Sequence, residues 1–104
     1  MISSRVLAQP TAFDDQFNSL PALPPGVVKL RYTFEDDWSG DPAIFFWVTL
    51  SDDAARKEVL PRTSRRVKDF ITQQLEPMAQ WALIPYFNFR SQSEQAKLKE
   101  AVFG

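Results

Sequence analysis

Cysteine and histidine are both absent from this 104-residue chain. Without them the chain alone cannot form a Cys/His zinc site, a Ser-His-Asp or Cys-His catalytic group, a disulfide or a thiol redox centre. These absences close much of enzyme chemistry, and we predict a protein that is not an enzyme and uses no cofactor. The lack of cysteine also agrees with a reducing compartment such as the cytoplasm.

Long apolar runs and a dominant charge are missing as well. No stretch approaches the roughly 20 consecutive apolar residues of a membrane span, and no apolar signal core follows residues 1–5. The 12 basic and 13 acidic side chains leave a formal net charge of −1, which gives no overall attraction to nucleic acid or anionic lipid. We therefore expect a cytoplasmic protein without membrane contact, in which any anionic partner is met by a local patch.

Residues 1–26 are predicted to form an N-terminal arm of a single-domain protein. A short amphipathic helix is indicated by Thr11 as a cap and by apolar side chains at i, i+4 and i+7, which are Phe13, Phe17 and Leu20. The segment 20–26 contains three prolines and ends in Pro-Gly. It predicts a rigid connector, with a ligand for an SH3-type groove as the alternative.

Residues 27–104 are predicted to form an α+β domain with three strands. Val28, Leu30, Tyr32 and Phe34 alternate with polar residues, which is the period of a strand with one buried face. Segment 43–50 is almost entirely apolar, as in a strand covered on both sides, and 83–90 reads as the third strand. The first two strands predict an antiparallel hairpin with a long loop.

Helices fill the rest of the predicted domain. Capping residues at 51–53 precede a helical pattern that Pro61 interrupts, so we expect either a kink near Leu60 or two helices, 53–59 and 61–75. Ser91 or Ser93 then begins a terminal helix that runs to about Phe103. The expected order is α-β-β-α-α-β-α, a small three-stranded sheet with helices on one face.

This order is similar to the α-β-β-α-α-β plan of the type II KH fold. KH domains clamp the nucleic-acid backbone with a GxxG loop, which lies between the two consecutive helices. In this chain that place is residues 59–64, Val-Leu-Pro-Arg-Thr-Ser, which contain no glycine. The resemblance implies nucleic-acid binding through a degenerate KH-like fold as an alternative function.

Aromatic side chains make up 13% of the chain and concentrate in the second and third strands. If the even-numbered residues of 44–50 face the helices, Phe45 and Trp47 point to the opposite side of the sheet. Tyr86 or Phe87, with Phe89, would join them there from the third strand. Such a face needs a cover, which the N-terminal helix, a second copy or a different protein could supply. Trp38, in the hairpin turn, is predicted either to anchor a partner or to cap the edge of the core.

Two charged clusters complete the candidate sites. Four basic residues, Arg62, Arg65, Arg66 and Lys68, predict a solvated helix face, a surface for an acidic protein or a nucleic-acid contact. The hairpin loop gathers Glu35 with Asp36, Asp37 and Asp41, which predict a solvated turn, a partner-facing patch or a weak cation site. The spacing matches no ordered cation loop, so we predict no bound metal.

These observations favour a small non-enzymatic interaction or regulatory module, working as a dimer or bound to a larger partner protein. Its predicted partner-binding residues are Trp38, Phe45, Trp47, Tyr86 and Phe87. An antitoxin-like protein or an accessory subunit would fit the size. The alternatives are the KH-like nucleic-acid-binding protein and, less favoured, an enzyme that depends on a metal held by the loop carboxylates.

Overall fold

The computed structural model describes residues 10–103, and its side chains from 11 to 98. The elements follow the predicted order and are α1 (Pro10–Asn18), β1 (Val27–Asp36), β2 (Pro42–Leu50), α2 (Leu60–Leu75), α3 (Pro77–Trp81), β3 (Ile84–Ser91) and α4 (Gln92–Phe103). The predicted α+β fold with a small sheet is therefore confirmed. Among the described residues, no helix has both the length and the apolar character that crossing a membrane requires.

The sheet has the order β1-β2-β3, with β2 in the middle. β1 pairs antiparallel with β2, and β3 pairs parallel with β2 after the chain crosses over through α2 and α3. Alternate residues of β2 are almost completely buried, and these are Ile44, Phe46, Val48 and Leu50. They define the core face of the sheet, and the odd-numbered residues of β2 therefore lie on the opposite face.

Three of the four helices, α1, α2 and α3, pack on the core face of the sheet. α2 buries Val67, Ile71 and Leu75 at i, i+4 and i+8, the spacing of one helix face. Phe13 of α1 is fully buried in the same core cluster. Its ring makes edge contacts with the rings of Tyr32, Phe34 and Trp81 at centroid distances of 5.1, 5.2 and 5.1 Å. The N-terminal helix consequently covers the core face and not the opposite one.

The predicted helix over 53–59 is wrong, because residues 52–59 form a series of turns. The Ser51 hydroxyl does accept a bond from the Ala54 amide at 3.2 Å, yet α2 begins only at Leu60. Pro61 then lies in the first turn of α2, where its missing N–H is not needed. The break between consecutive helices lies instead at Glu76, whose φ of 44° is left-handed. Segment 59–64 is therefore the start of a helix and not a loop between two helices.

Val28 departs from the predicted alternation and is 49% exposed. The pairing of β1 with β2 shifts between Val27 and Lys29, which marks a bulge. A bulge adds one residue to a strand, so residues before it and residues after it follow opposite odd–even patterns of facing the core. Val27 consequently packs against the core in place of Val28, while Leu30, Tyr32 and Phe34 keep the predicted orientation.

Gly26 permits the close approach that joins β1 to the turn after β2. Its φ is +90°, and a Cβ placed there would lie 2.5 Å from the Ala54 Cβ. We predict that Gly26→Ala lowers the free energy of unfolding by about 1–3 kcal/mol, measured by urea denaturation. Gly40→Ala is the matched control, because Gly40 has a φ of +87° but no atom within 4 Å of that Cβ. Equal losses in the two variants would contradict a role for the Ala54 contact.

Candidate functional site

The second face of the sheet, called the open face below, combines aromatic and charged side chains. Strand register places four residues of each strand on it: Lys29, Arg31, Thr33 and Glu35; Ala43, Phe45, Trp47 and Thr49; Ile84, Tyr86, Asn88 and Arg90. The core cluster of the described residues contains none of its aromatic side chains. Phe45, Trp47 and Tyr86 are each partly exposed.

The aromatic side chains of the open face form a row with Trp38. Tyr86 stacks on Phe45 with centroids 5.1 Å apart and planes at 19°, and Trp38 leans on Tyr86 at 5.3 Å. Trp38 is 84% exposed, so its indole does not cap the edge of the core. Trp47 donates its indole N–H to the Thr33 hydroxyl at 3.2 Å. Three of the side chains named from the sequence, Trp38, Phe45 and Tyr86, are thus in ring contact, and Trp47 lies on the same face.

Phe87 was predicted to join this row, but it lies on the core face. Its ring stacks on Phe46 at 5.2 Å, and Phe89 follows at 6.1 Å on the same side. Neighbouring residues of a strand point to opposite faces, so only one of Tyr86 and Phe87 can reach the open face. The register of β3 with β2 pairs Phe45 with Tyr86 and thereby decides between them.

The open face is charged oppositely at its two ends. Lys29, Arg31 and Arg90 lie at one end, where a groove of about 580 Å³ also contacts Trp47 and the first turns of α4. The Arg31 guanidinium lies 5.8 Å from the centre of the Trp47 ring, within the range of a cation–π contact. Glu35 lies at the opposite end. The sequence marks Asn88 and Arg90 as a polar strand end that could contact a ligand, but the face on which Arg90 lies follows from the register of β3 with β2.

The acidic loop is organised around the Asp37 carboxylate, which is buried. One oxygen accepts bonds from the Ser39 hydroxyl at 2.7 Å, the Ser39 amide at 2.9 Å and the Asp41 amide at 3.0 Å. The other accepts the Tyr86 hydroxyl at 2.8 Å. Asp37 thus fastens the loop to the aromatic row. Within the part of the chain that the structure describes, no group of three or more potential ligands is arranged to hold a metal.

Asp37 makes this loop sensitive to acid. The bonds from Ser39, Tyr86 and the Asp41 amide outweigh partial burial and lower the pKa of Asp37 from 3.8 to about 2. A lowered pKa means that the charged form stabilises the fold above about pH 4 and that this contribution is lost as the pH falls through about 2. We predict that the fluorescence of the Trp residues changes over this interval in the native chain and less in Asp37→Asn. Identical titrations would contradict the assignment.

The basic residues of α2 divide into two places. Arg62, Arg65 and Arg66 line a second groove of about 570 Å³ between α2 and the proline-rich segment 22–25. Lys68 lies apart from them, with its ammonium 5.9 Å from the centre of the Phe87 ring. The predicted four-residue patch is therefore a patch of three arginines, at i, i+3 and i+4 on one helix face.

Comparison of the chain with protein-family models, with curated proteins and with solved structures finds no match. Two surfaces remain as functional candidates in the described residues. The open face offers aromatic rings between opposite charges, and the second groove offers guanidinium groups beside apolar side chains.

Proposed function

We propose that this protein is a small, non-enzymatic interaction module that associates with a second copy of itself through the open face of its sheet. The row of Trp38, Phe45, Trp47 and Tyr86 outside the core supports the proposal. Contiguous aromatic surface of this kind marks interaction sites on small proteins, and Trp and Tyr are the residues that dominate interface energies. The absence of cysteine fits the cytoplasm as its location.

The charges favour a particular two-fold arrangement. Thr33, Phe45 and Tyr86 lie side by side across the three strands, along a line perpendicular to the strand direction. We place two sheets with their open faces together and a two-fold axis between them, parallel to this line. The axis makes each strand antiparallel to the same strand of the partner. Arg31 then lies opposite the partner's Glu35. Phe45 and Tyr86 meet their own copies on the axis, and Trp47 lies opposite the partner's Ala43. Opposite charges at the two ends of one face are thus self-complementary.

The expected affinity is modest because the face is small. Strands about 4.8 Å apart and about 3.3 Å per residue give a face of roughly 15 by 30 Å, or about 450 Å². Stable interfaces commonly bury about 800 Å² per partner. We therefore expect a reversible dimer with a dissociation constant in the micromolar range. Contacts of Trp38 at the edge of the interface would add to the affinity.

A charge exchange tests this arrangement. Arg31→Glu and Glu35→Arg each place like charges opposite one another in the proposed dimer, so each variant alone should stay monomeric. An equimolar mixture restores two opposite-charge pairs, and we expect it to form a heterodimer. Sedimentation velocity at low ionic strength measures both effects, and added salt should weaken the mixed dimer.

Arg65→Glu provides the matched control, since Arg65 lies on α2 away from the open face and should leave self-association unchanged. Dimerisation of each single variant, or a mixture that stays monomeric, would contradict the proposed arrangement. The alternative, nucleic-acid binding by a degenerate KH-like fold, predicts another outcome. The native chain would then bind a single-stranded oligonucleotide with steep salt dependence, and Arg65→Glu, within the predicted phosphate-contacting patch of α2, would weaken that binding.

A further inference from the structure

We infer that the groove between α2 and the proline-rich segment binds an extended acidic peptide of a partner protein. This arginine groove is lined by Arg62, Arg65, Arg66, Asp69, Phe70 and Gln73 of α2 and by residues 22–25. All three arginines are exposed. The inference does not depend on the proposed self-association.

Arg62 is placed where a basic residue does not help the helix. α2 has no acidic residue in its first turn, and its N-cap, Val59, makes no side-chain capping bond. Arg62 lies in this first turn, where the helix dipole favours negative charge. A basic residue there costs stability, and departures from local preference of this kind are expected at functional sites. The position of Arg62 thus points to a role outside folding.

The lining of the groove favours a peptide over a nucleic acid. Guanidinium groups form paired hydrogen bonds with carboxylates and with phosphates, so the three arginines call for an anionic ligand and the rest of the lining selects its class. The wall formed by residues 22–25 is apolar, and its Leu23 is 37% exposed. On the α2 side, Phe70 also lines the groove and packs partly against the core. Asp69 adds a carboxylate that can accept a peptide N–H, a donor that a phosphate–sugar backbone lacks. The fitting ligand therefore alternates acidic with apolar side chains.

The groove has the length of a short extended segment. From Arg62 to Gln73 α2 rises about 16 Å at 1.5 Å per residue. An extended chain covers this distance with about five residues at 3.3 Å each. α2 packs on the core face, so the groove lies on the other side of the molecule from the open face. Self-association would leave it accessible, and a dimer would offer two grooves to one partner.

Fluorescence anisotropy with a labelled peptide of about six residues, alternating glutamate with leucine, tests the inference directly. We expect saturable binding by the native chain at low ionic strength. Arg65→Glu should weaken this binding by about tenfold or more, because it replaces a charge-assisted contact with a repulsion. Arg31→Glu, on the open face, should bind the peptide as the native chain does.

A second readout separates binding from folding. Arg62→Gln should weaken the peptide complex while raising the melting temperature by about 2 °C or more, since it removes a positive charge from the helix start. No saturable binding by the native chain would overturn the inference. So would equal affinity for a lysine–leucine peptide, tighter binding of a single-stranded oligothymidylate, or a native affinity retained in both arginine variants.

Discussion

Phe13→Ala should lower the free energy of unfolding by about 3–5 kcal/mol, the range for removing a large ring from a packed core. Phe13 is fully buried and contacts three other rings within 5.2 Å. The other bonds of α1 to the body of the protein are exposed. They include Tyr32 to Asp14 at 2.8 Å and Gln16 to the Gln74 carbonyl at 3.1 Å. Exposed polar contacts contribute little, so apolar packing holds α1 in place. Phe13 is its fully buried side chain, and the partly buried Phe17 adds an edge contact with Tyr32 at 4.7 Å.

Urea denaturation followed by far-ultraviolet circular dichroism measures this loss. Val28→Ala is the control, because Val28 is also apolar but lies outside the core, and its replacement should change stability by less than about 0.5 kcal/mol. A loss below about 1 kcal/mol in Phe13→Ala would show that α1 does not belong to the core. In that case the N-terminal helix would again be available to cover the open face.

Trp47→Asp should abolish self-association without unfolding the chain. The substitution removes an aromatic ring from the proposed interface and places there a carboxylate, which must lose its hydration when the two faces meet. The monomer should tolerate it, since Trp47 lies outside the core and Arg31 lies directly opposite on β1. We expect the dissociation constant of the dimer to rise by about 100-fold or more. Sedimentation equilibrium measures it, and circular dichroism confirms the fold.

Met78→Asp is the matched control for this effect. Met78 is a large apolar residue of α3 that is 59% exposed, and it lies outside the open face. The same change of chemistry there should leave the dissociation constant unchanged. Equal losses of self-association in both variants, or none in Trp47→Asp, would rule out the open face as the interface.

The fold was largely predictable because its strands have strong local patterns. Alternation in β1 and the apolar run of β2 identified both strands, and the element order followed from proline and capping positions. The bulge at Val27 and Lys29 was not predictable, since it exchanges two similar valines between core and solvent. The turns at 52–59 were also missed. Capping residues favoured a helix there, but the Ser51 bond closes only a turn, and Pro61 begins the helix later.

The candidate site was predictable in its chemistry and less so in its geometry. Sequence placed Phe45 and Trp47 together, because strand parity is a local property. It could not choose between Tyr86 and Phe87, or assign Arg90 to a face of the sheet, since both depend on the register between β2 and β3. The cover of the open face was equally undecidable, because the same amphipathic helix can pack on either side of a sheet. The buried ring of Phe13 resolves that question for α1.

Absolute mass in solution, measured by size-exclusion chromatography with light scattering over a wide concentration series, shows whether the chain self-associates. We expect a mass that rises reversibly from the 11.9 kDa of one chain towards twice that value as concentration increases through the micromolar range. A mass of 11.9 kDa at every concentration would contradict self-association through the open face.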